Sequence, residues 1–398
     1  MKSSQILLKL NNYSLINEII YILLFISLNI NYCISWGKEG HILTARIAQR
    51  LLSNTTQKEV YELLNSHDLG EIANWADHIR SYEEWKWSQR LHYINTPNWE
   101  CKYNQQLDCP FDQFDISLLL KKLNNNNDQN DILNQVQNSN TPSNYDGFCF
   151  NVDGAIQNYT FRLLDLSLSR NDHIEGLKFL VHFIGDIHQP LHVAFKSDEG
   201  GNLITGQFLE HSYNLHSIWD DVLIKHRMAI NYKNDYAEYE ATLISMLQNE
   251  YIQKLIQNSV KCETKIYDNK WSNSDKFGNF DLTSVDDDQI FEKLTVLLFS
   301  YNLIKSNLST IVCSSEWASE SAKIACSDAY VLEDGKTQIQ NHFHLNEMYY
   351  EKTISIVEQQ LFKGAARLAN TLNWIFDNRK LLHQSKQKNE IPYQILSK

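Results

Sequence analysis

Glycine and proline are scarce in this chain, at 13 and 5 of 398 residues. That scarcity argues against turn-rich β-sandwiches and barrels. Together with long stretches of helical periodicity, it points to an all-α or mainly α protein. Positive charge is also short: 36 Lys and Arg stand against 48 Asp and Glu, a formal charge of −12. The chain therefore lacks the basic surface expected of a duplex-DNA binder. No apolar run reaches membrane-spanning length, because the segment 19–30 falls short of the roughly 20 residues a span requires. There is no internal repeat, which sets aside solenoid architectures.

What is present begins with that same segment. Lys2 and Lys9 precede it, and Cys33 and Ser35 place small side chains just before Trp36. This is the pattern of a signal peptide, residues 1–35, rather than a retained membrane anchor. Cleavage removes Lys2, Lys9 and Glu18 and takes the formal charge to −13. It also removes Cys33 and leaves six cysteines: Cys101, Cys109, Cys149, Cys262, Cys313 and Cys326. An even count in a secreted chain suggests disulfides, with the pairing open; a local pair such as Cys101–Cys109 is one candidate. Acceptor sequons for N-glycans stand at Asn54, Asn158 and Asn307. These features agree on a secreted protein, or one delivered to an endolysosomal or vacuolar lumen, with no membrane span after cleavage and a monomeric state expected.

Helical patterns cover residues 36–64, about 153–169, 173–188, 213–226, 234–260, 288–308, 315–327 and 346–378, and an aromatic-rich unit covers 72–93. In the last helix Ile354, Val357, Leu361, Ala365, Leu368, Leu372 and Ile375 recur at helical spacing. An Asn-rich stretch within 112–147 cannot bury a core and reads as a surface insertion, and 263–287 reads as a polar loop. We expect one domain over 36–378 and a polar tail over 379–398.

The most informative run is 180–192, Leu-Val-His-Phe-Ile-Gly-Asp-Ile-His-Gln-Pro-Leu-His. His182 and Asp186 are four apart and share a helix face. Pro190 should end that helix and leave His192 on the turn beyond it. Imidazole and carboxylate on one short element suit a divalent metal such as zinc. His216 and Asp220 repeat the same spacing, His41 follows Trp36 closely, Asp77 and Arg80 are three apart, and His92 lies fifteen residues after Asp77. Any one fragment alone is more readily a hydrogen-bonded core histidine or a salt bridge. Together, in apolar surroundings that penalise unpaired charge, they point to a shared metal cavity.

These fragments stand within longer motifs: Trp36-Gly-Lys-Glu-Gly-His41, Ala73-Asn-Trp-Ala-Asp77-His-Ile-Arg80, His92-Tyr-Ile-Asn-Thr-Pro97 and Gly154-Ala-Ile-Gln-Asn-Tyr-Thr160. Further on come Gly200-Gly-Asn202, Asn214-Leu-His216-Ser-Ile-Trp-Asp220, Trp317-Ala-Ser-Glu-Ser321 and Gly364-Ala-Ala-Arg-Leu-Ala369. In these motifs the chain resembles the secreted trinuclear-zinc single-strand nucleases of plants and fungi, also known as bifunctional nucleases or 3′-nucleotidases, over essentially 36–376. The resemblance implies a multi-helix fold shared with zinc-dependent phospholipase C, and three Zn2+ ions. By motif position Asp77, His92, His182 and Asp186 would hold the first. The amine and carbonyl of Trp36, with His41 and Asp186, would hold its neighbour, which would make removal of the signal peptide a requirement for activity. His192, His216 and Asp220 would hold the third. It further implies hydrolysis of single-stranded DNA, RNA and nucleotides to 5′-phosphates by a metal-activated hydroxide, with Arg80 on the phosphoryl oxygens and Asp77 orienting the water. Local positive charge from the metals would then draw phosphate to the cleft despite the acidic surface.

Tyr93, Asn95 and Asn202 are the substrate-binding candidates, Tyr93 for base stacking. Asn95 departs from the Asp usual in the family, and Asn both donates and accepts where Asp only accepts, so base preference is open. The segment 149–154 is two residues longer than the family pattern between its Cys and Gly. His78, Asp153, His173, His188 and His211 read as structural or surface residues. Two other readings compete. A zinc-dependent phospholipase C typically has Glu in place of Asp220 and a longer step than that from Trp36 to His41. A non-catalytic binder of zinc or nucleic acid would not need Arg80.

Overall fold

A computed structural model describes residues 36–108, 149–262 and 311–388 of the chain. The expected signal peptide over 1–35, Cys109, the Asn-rich stretch, the expected polar loop at 263–287 and helical pattern at 288–308, Asn307 and the end of the tail lie outside the described residues. Helices dominate, as composition indicated. They are α1 (Lys38–Leu51), α2 (Asn54–Leu64), α3 (Trp75–Ile79), α4 (Val152–Leu164), α5 (Arg170–Asp186), α6 (Leu223–Tyr232), α7 (Tyr236–Ser245), α8 (Glu250–Ser259), α9 (Ser314–Ile324) and α10 (Glu347–Lys388). No helix of the described residues is long and apolar enough to cross a membrane.

α10 is the spine of the fold. Its seven predicted apolar positions are all buried, and it packs along α1 and touches α2, α4, α5, α6 and α8. It runs ten residues past the expected end at 378, to Lys388, because the polar sequence there holds no Gly or Pro to stop a helix. α5 begins with a reciprocal cap, in which the Ser169 hydroxyl accepts from the Asp172 N–H and the Asp172 carboxylate accepts from the Ser169 N–H. It ends at Asp186, and Pro190 opens a separate 3-10 turn, Pro190–His192. Phe179 and Phe183 of α5 stack in series with Tyr159 of α4, which fixes α5 across the middle of the core.

Short strands were not foreseen. β1 (Ile94–Thr96) pairs in parallel with β2 (Val193–Phe195), and β3 (Thr205–Phe208) lies between β4 (His211–Asn214) and β5 (Phe343–Leu345). The helix expected over 213–226 therefore starts late. Residues 211–214 are strand, Leu215–Ser217 is one helical turn, and Ile218–Val222 is a π-helix before α6. The local Cys101–Cys109 pairing is overturned: Cys101 joins Cys326, 225 residues away, and Cys262 joins Cys313. Cys149 is also disulfide-bonded.

Candidate metal centre

The ligand candidates come from elements far apart in sequence that meet at the C-terminal end of α5. α1 brings His41, α3 brings Asp77, and a 3-10 segment, Glu83–His92, delivers His92. α5 supplies His182 and Asp186, the turn after it His192, and the turn and π-helix before α6 His216 and Asp220. All of the histidines named are buried to within 3% of full burial, and so are Asp186 and Asp220. Gly185 permits the convergence, since a Cβ there would lie 2.7 Å from Nδ1 of His41. Trp36 is fully buried at the start of α1, and the Gly37 N–H donates to the Asp220 carbonyl at 2.7 Å, so the residue after Trp36 is tied to a ligand candidate.

Four atoms form a tight set. His182 Nε2 lies 3.3 Å from Asp186 Oδ2, 3.5 Å from Asp77 Oδ1 and 3.1 Å from His92 Nδ1. His92 Nδ1 lies 3.0 Å from Asp186 Oδ2 and 3.7 Å from Asp77 Oδ1. Two atoms each about 2.0–2.1 Å from one tetrahedral zinc stand roughly 3.3 Å apart, so this set has the dimensions of a single coordination shell. The other carboxylate oxygen, Asp186 Oδ1, faces elsewhere, 3.3 Å from His41 Nε2 and 3.5 Å from His192 Nδ1. One carboxylate thus looks into two groups, as a bridging ligand must. The third group pairs His216 Nε2 with Asp220 Oδ2 at 3.2 Å and His192 Nε2 with Asp220 Oδ1 at 3.6 Å.

The rings are oriented from behind. Nδ1 of His182, His192 and His216 meets the carbonyls of Ala73, His92 and Gly200 at 2.7, 2.9 and 2.7 Å. A carbonyl only accepts, so each Nδ1 carries a hydrogen and each Nε2 faces inward, where its lone pair meets an ion once that nitrogen is unprotonated. Gly200 adopts φ +64°, and a Cβ there would strike the Leu191 carbonyl at 2.4 Å, so glycine is required to aim that carbonyl at His216.

Electrostatics favours a cation here. Nδ1 of His41 and Nε2 of His192 are buried without a hydrogen-bond partner, and Nε2 of His41 faces the Asp186 carboxylate at 3.3 Å. Burial, followed by the charge on His182, pushes the His41 ring down, and burial takes His92 down to about 4. Burial would depress His182 as well, but Asp186 and Asp77 outweigh it and lift that ring to about 10. Burial opposes ionisation of Asp77 and Asp186, yet His182 holds both carboxyls below the usual range. A proton on His182 thus supplies positive charge that a divalent ion could supply instead, releasing the proton. Orphaned ring nitrogens, carboxylates and matching spacings all fit zinc.

Around these groups, Arg80 Nη2 lies 3.3 Å from Asp77 Oδ1 and is largely buried. Tyr93 is half-buried, Asn95 is exposed in β1 opposite Ala194, and the Asn202 amide donates to the Glu199 carbonyl at 2.8 Å. Asn54 is exposed and Asn158 half-buried. His188 turns away from the cluster: its Nδ1 donates to the Ile184 carbonyl and its Nε2 accepts from Arg367. Asp153 is buried among Ser314, Tyr103 and Gln157, His173 meets the Asp165 carbonyl, and His78 and His211 are exposed. Gln189 was missed. Its amide donates to Asp220 Oδ1 at 2.5 Å and its oxygen accepts from the Leu191 N–H at 2.5 Å, which locks a ligand candidate. The available signal was an uncharged amide inside a buried His-rich run.

Comparison with known proteins follows the same residues. A family model described as S1/P1 Nuclease matches residues 36–377. Endonuclease 1 of Arabidopsis thaliana is 32% identical over 352 residues, covering 86% of this chain and 88% of the relative. Nuclease P1 of Penicillium citrinum is 28% identical, covering 85% of this chain and 97% of the relative, and Nuclease S1 of Aspergillus oryzae is 27% identical, covering 85% and 91%.

Proposed function

This chain belongs to the S1/P1 nuclease family, and from that premise we propose how its site works. The protein is a nuclease, a hydrolase of phosphodiester bonds. The finer reading is a zinc-dependent endonuclease of single-stranded DNA and RNA that leaves 5′-phosphates and also removes 3′-phosphates from nucleotides. It acts as a signal-cleaved, glycosylated monomer, secreted or delivered to an endolysosomal or vacuolar lumen. The single observation carrying it is the four-atom set around His182, in which the His182 and His92 nitrogens lie 3.1 Å apart and each stands 3.0–3.7 Å from the Asp77 and Asp186 oxygens.

In this reading Asp77, His92, His182 and Asp186 would hold one ion. The amine and carbonyl of Trp36, with His41 and Asp186, would hold a second, and His192, His216 and Asp220 a third. When bound, such ions supply Lewis-acid charge and lower the pKa of water towards about 7. The chain does the positioning. The Arg80 guanidinium, held against Asp77, donates to the phosphoryl oxygens, whose charge grows in the transition state. Asp77 accepts a hydrogen bond from the attacking water and so aligns its lone pair with phosphorus. The Ala73, His92 and Gly200 carbonyls hold three imidazole Nδ1–H groups turned outward, so that each Nε2 faces the site and is the atom that would meet an ion. Tyr93 would stack a base, and Asn95 and Asn202 would meet its polar edge or the sugar.

The test is to incubate signal-cleaved, zinc-loaded protein with single-stranded DNA, RNA, a 3′-mononucleotide and phosphatidylcholine vesicles. Release of 5′-phosphorylated products and of inorganic phosphate is expected. Turnover of the lipid alone would sink the nuclease chemistry, and zinc binding without turnover of any substrate would leave a binder.

A further inference from the structure

The two strands nearest the metal centre lead outward to an unusual tryptophan. β1 starts two residues after His92 and β2 one residue after His192, and they run in parallel in the register Ile94↔Val193 to Thr96↔Phe195. Their starts are joined by the His192 Nδ1 contact to the His92 carbonyl at 2.9 Å. Three residues at ~3.3 Å each carry the pair ~10 Å from the ligands. At that far end stands Trp99, 60% exposed, with φ +64°. A bulky aromatic in the left-handed region is strained, and such strain persists only where the surroundings impose it.

The surroundings do impose it. The Trp99 ring rests on Phe195, the last residue of β2, with centroids 5.0 Å apart, and Phe195 in turn packs at a tilt against Tyr330 at 4.9 Å. The preceding Asn98 accepts from the Ser197 N–H at 3.2 Å, and two residues later Cys101 is bonded to Cys326. The indole thus rests on Phe195 while the chain on either side of it is tethered, and the ring is left 60% exposed. A hydrophobic ring held in the open at a conformational cost is not explained by burial, since burying it would remove the exposure.

We propose that Trp99 is a base-stacking subsite for the part of a single strand that extends beyond the scissile phosphodiester, an inference that rests on the nuclease reading above. Every base offers a π-face, so such a platform tolerates any sequence. Charge around the ring is mixed, with Lys102 and Lys196 near Glu100 and Glu199 along the two segments that hold it. Stacking, rather than phosphate attraction, therefore supplies the contact. The subsite favours long substrates, because Trp99 lies three residues beyond the end of β1, which is itself ~10 Å from the ligands.

The experiment compares zinc-loaded wild type, Trp99→Ala and Trp99→Phe on a dinucleoside monophosphate and on a single-stranded decamer, with thermal melting to verify the fold. Trp99→Ala should raise KM for the decamer by about fivefold or more and change the dinucleotide KM by less than about twofold, with kcat held on both. Trp99→Phe should restore most of the decamer affinity, and the ratio of variant to wild-type KM should stay constant as salt rises. Equal effects on both substrates, no effect on either, or failure of Phe to rescue a folded variant would overturn the subsite. In each of these outcomes wild-type turnover of the dinucleotide leaves the nuclease reading standing. Wild type inactive on both substrates would sink the nuclease reading, and the subsite with it.

Discussion

Two buried histidine clusters flank the end of α5, and they differ in how their charge is met. At His182 and Asp186, imidazoles and carboxylates crowd together, and Nδ1 of His41 and Nε2 of His192 lack hydrogen-bond partners. Two residues beyond Asp186, His188 is just as buried, yet every demand on it is answered. Its Nδ1 donates to Ile184 and its Nε2 accepts from Arg367 at 2.8 Å. Arg367 also donates to the Ser259 carbonyl and pairs with Glu320 at 2.6 Å, and Glu320 holds Lys363 as well. Gln360 covers the His188 carbonyl. Burial alone therefore does not mark a ligand. The mark is a buried polar atom whose partner the protein itself does not supply.

The comparison is broken most severely from the first cluster. Asp186→Asn keeps the shape of the side chain but removes the charge that faces two groups at once. We expect turnover of single-stranded DNA to fall at least about a thousandfold, a loss of about 4 kcal/mol in transition-state stabilisation, with zinc content falling too and far-UV circular dichroism unchanged. Retention of more than about a tenth of the activity would show that Asp186 is not the bridge. The second cluster should respond in the opposite sense. Arg367→Met breaks a buried ion pair and should cost about 3 kcal/mol of stability in denaturant unfolding, at the low end for such pairs because Lys363 still neutralises Glu320. Its kcat, measured below the melting range, should stay within about twofold of wild type. A collapse of kcat in the folded variant would mean that the two clusters are one functional unit.

Gln189 sharpens the boundary between them. It lies next to His188 in sequence but spends its amide on Asp220, so it groups with the candidate metal centre. Gln189→Leu should weaken zinc binding about 10- to 100-fold, as loss of groups that orient ligands typically does, with a smaller effect on stability. Competition with a chromogenic chelator measures this. An unchanged affinity would return Gln189 to the structural network.

This boundary also shows what was legible in the sequence. His182, Asp186, His192, His216 and Asp220 sit in local spacings that a helix period can decode, and the helical register was enough to turn His188 away from the ligand face. The partner that satisfies His188, Arg367, is 179 residues away, and nothing local announces it. Cys101 and Cys326 were equally out of reach, because proximity across 225 residues is set by packing rather than spacing. The strands are three or four residues long, too short to show an alternating pattern. The π-helix that carries Asp220 shares its composition with an α-helix, so residues 213–226 read as one uniform helix. The spine α10 was legible because its buried positions repeat over many turns.

The smallest effect is the gentlest on the protein and separates the clusters by pH. Burial, then the charge on Arg367, depresses His188 to about 3, and Arg367 and Lys363, against the cost of burial, lower Glu320 to about 2. A histidine depressed on folding contributes stability that is complete above its unfolded value near 6.5 and is lost as pH falls from there towards 3. Glu320 adds its own loss between about 4.5 and 2. Metal release on acidification would obscure this in wild type alone, but it is common to wild type and His188→Gln, whose side chain can still accept from Arg367 without titrating. The difference in Tm between the two should therefore be flat above pH 6.5 and should narrow steadily below it, as only the wild type surrenders its histidine contribution. A difference that stays constant down to pH 5 would show that His188 does not carry the neutral ring its partners require, and the division between a satisfied network and an unsatisfied metal centre would lose its footing.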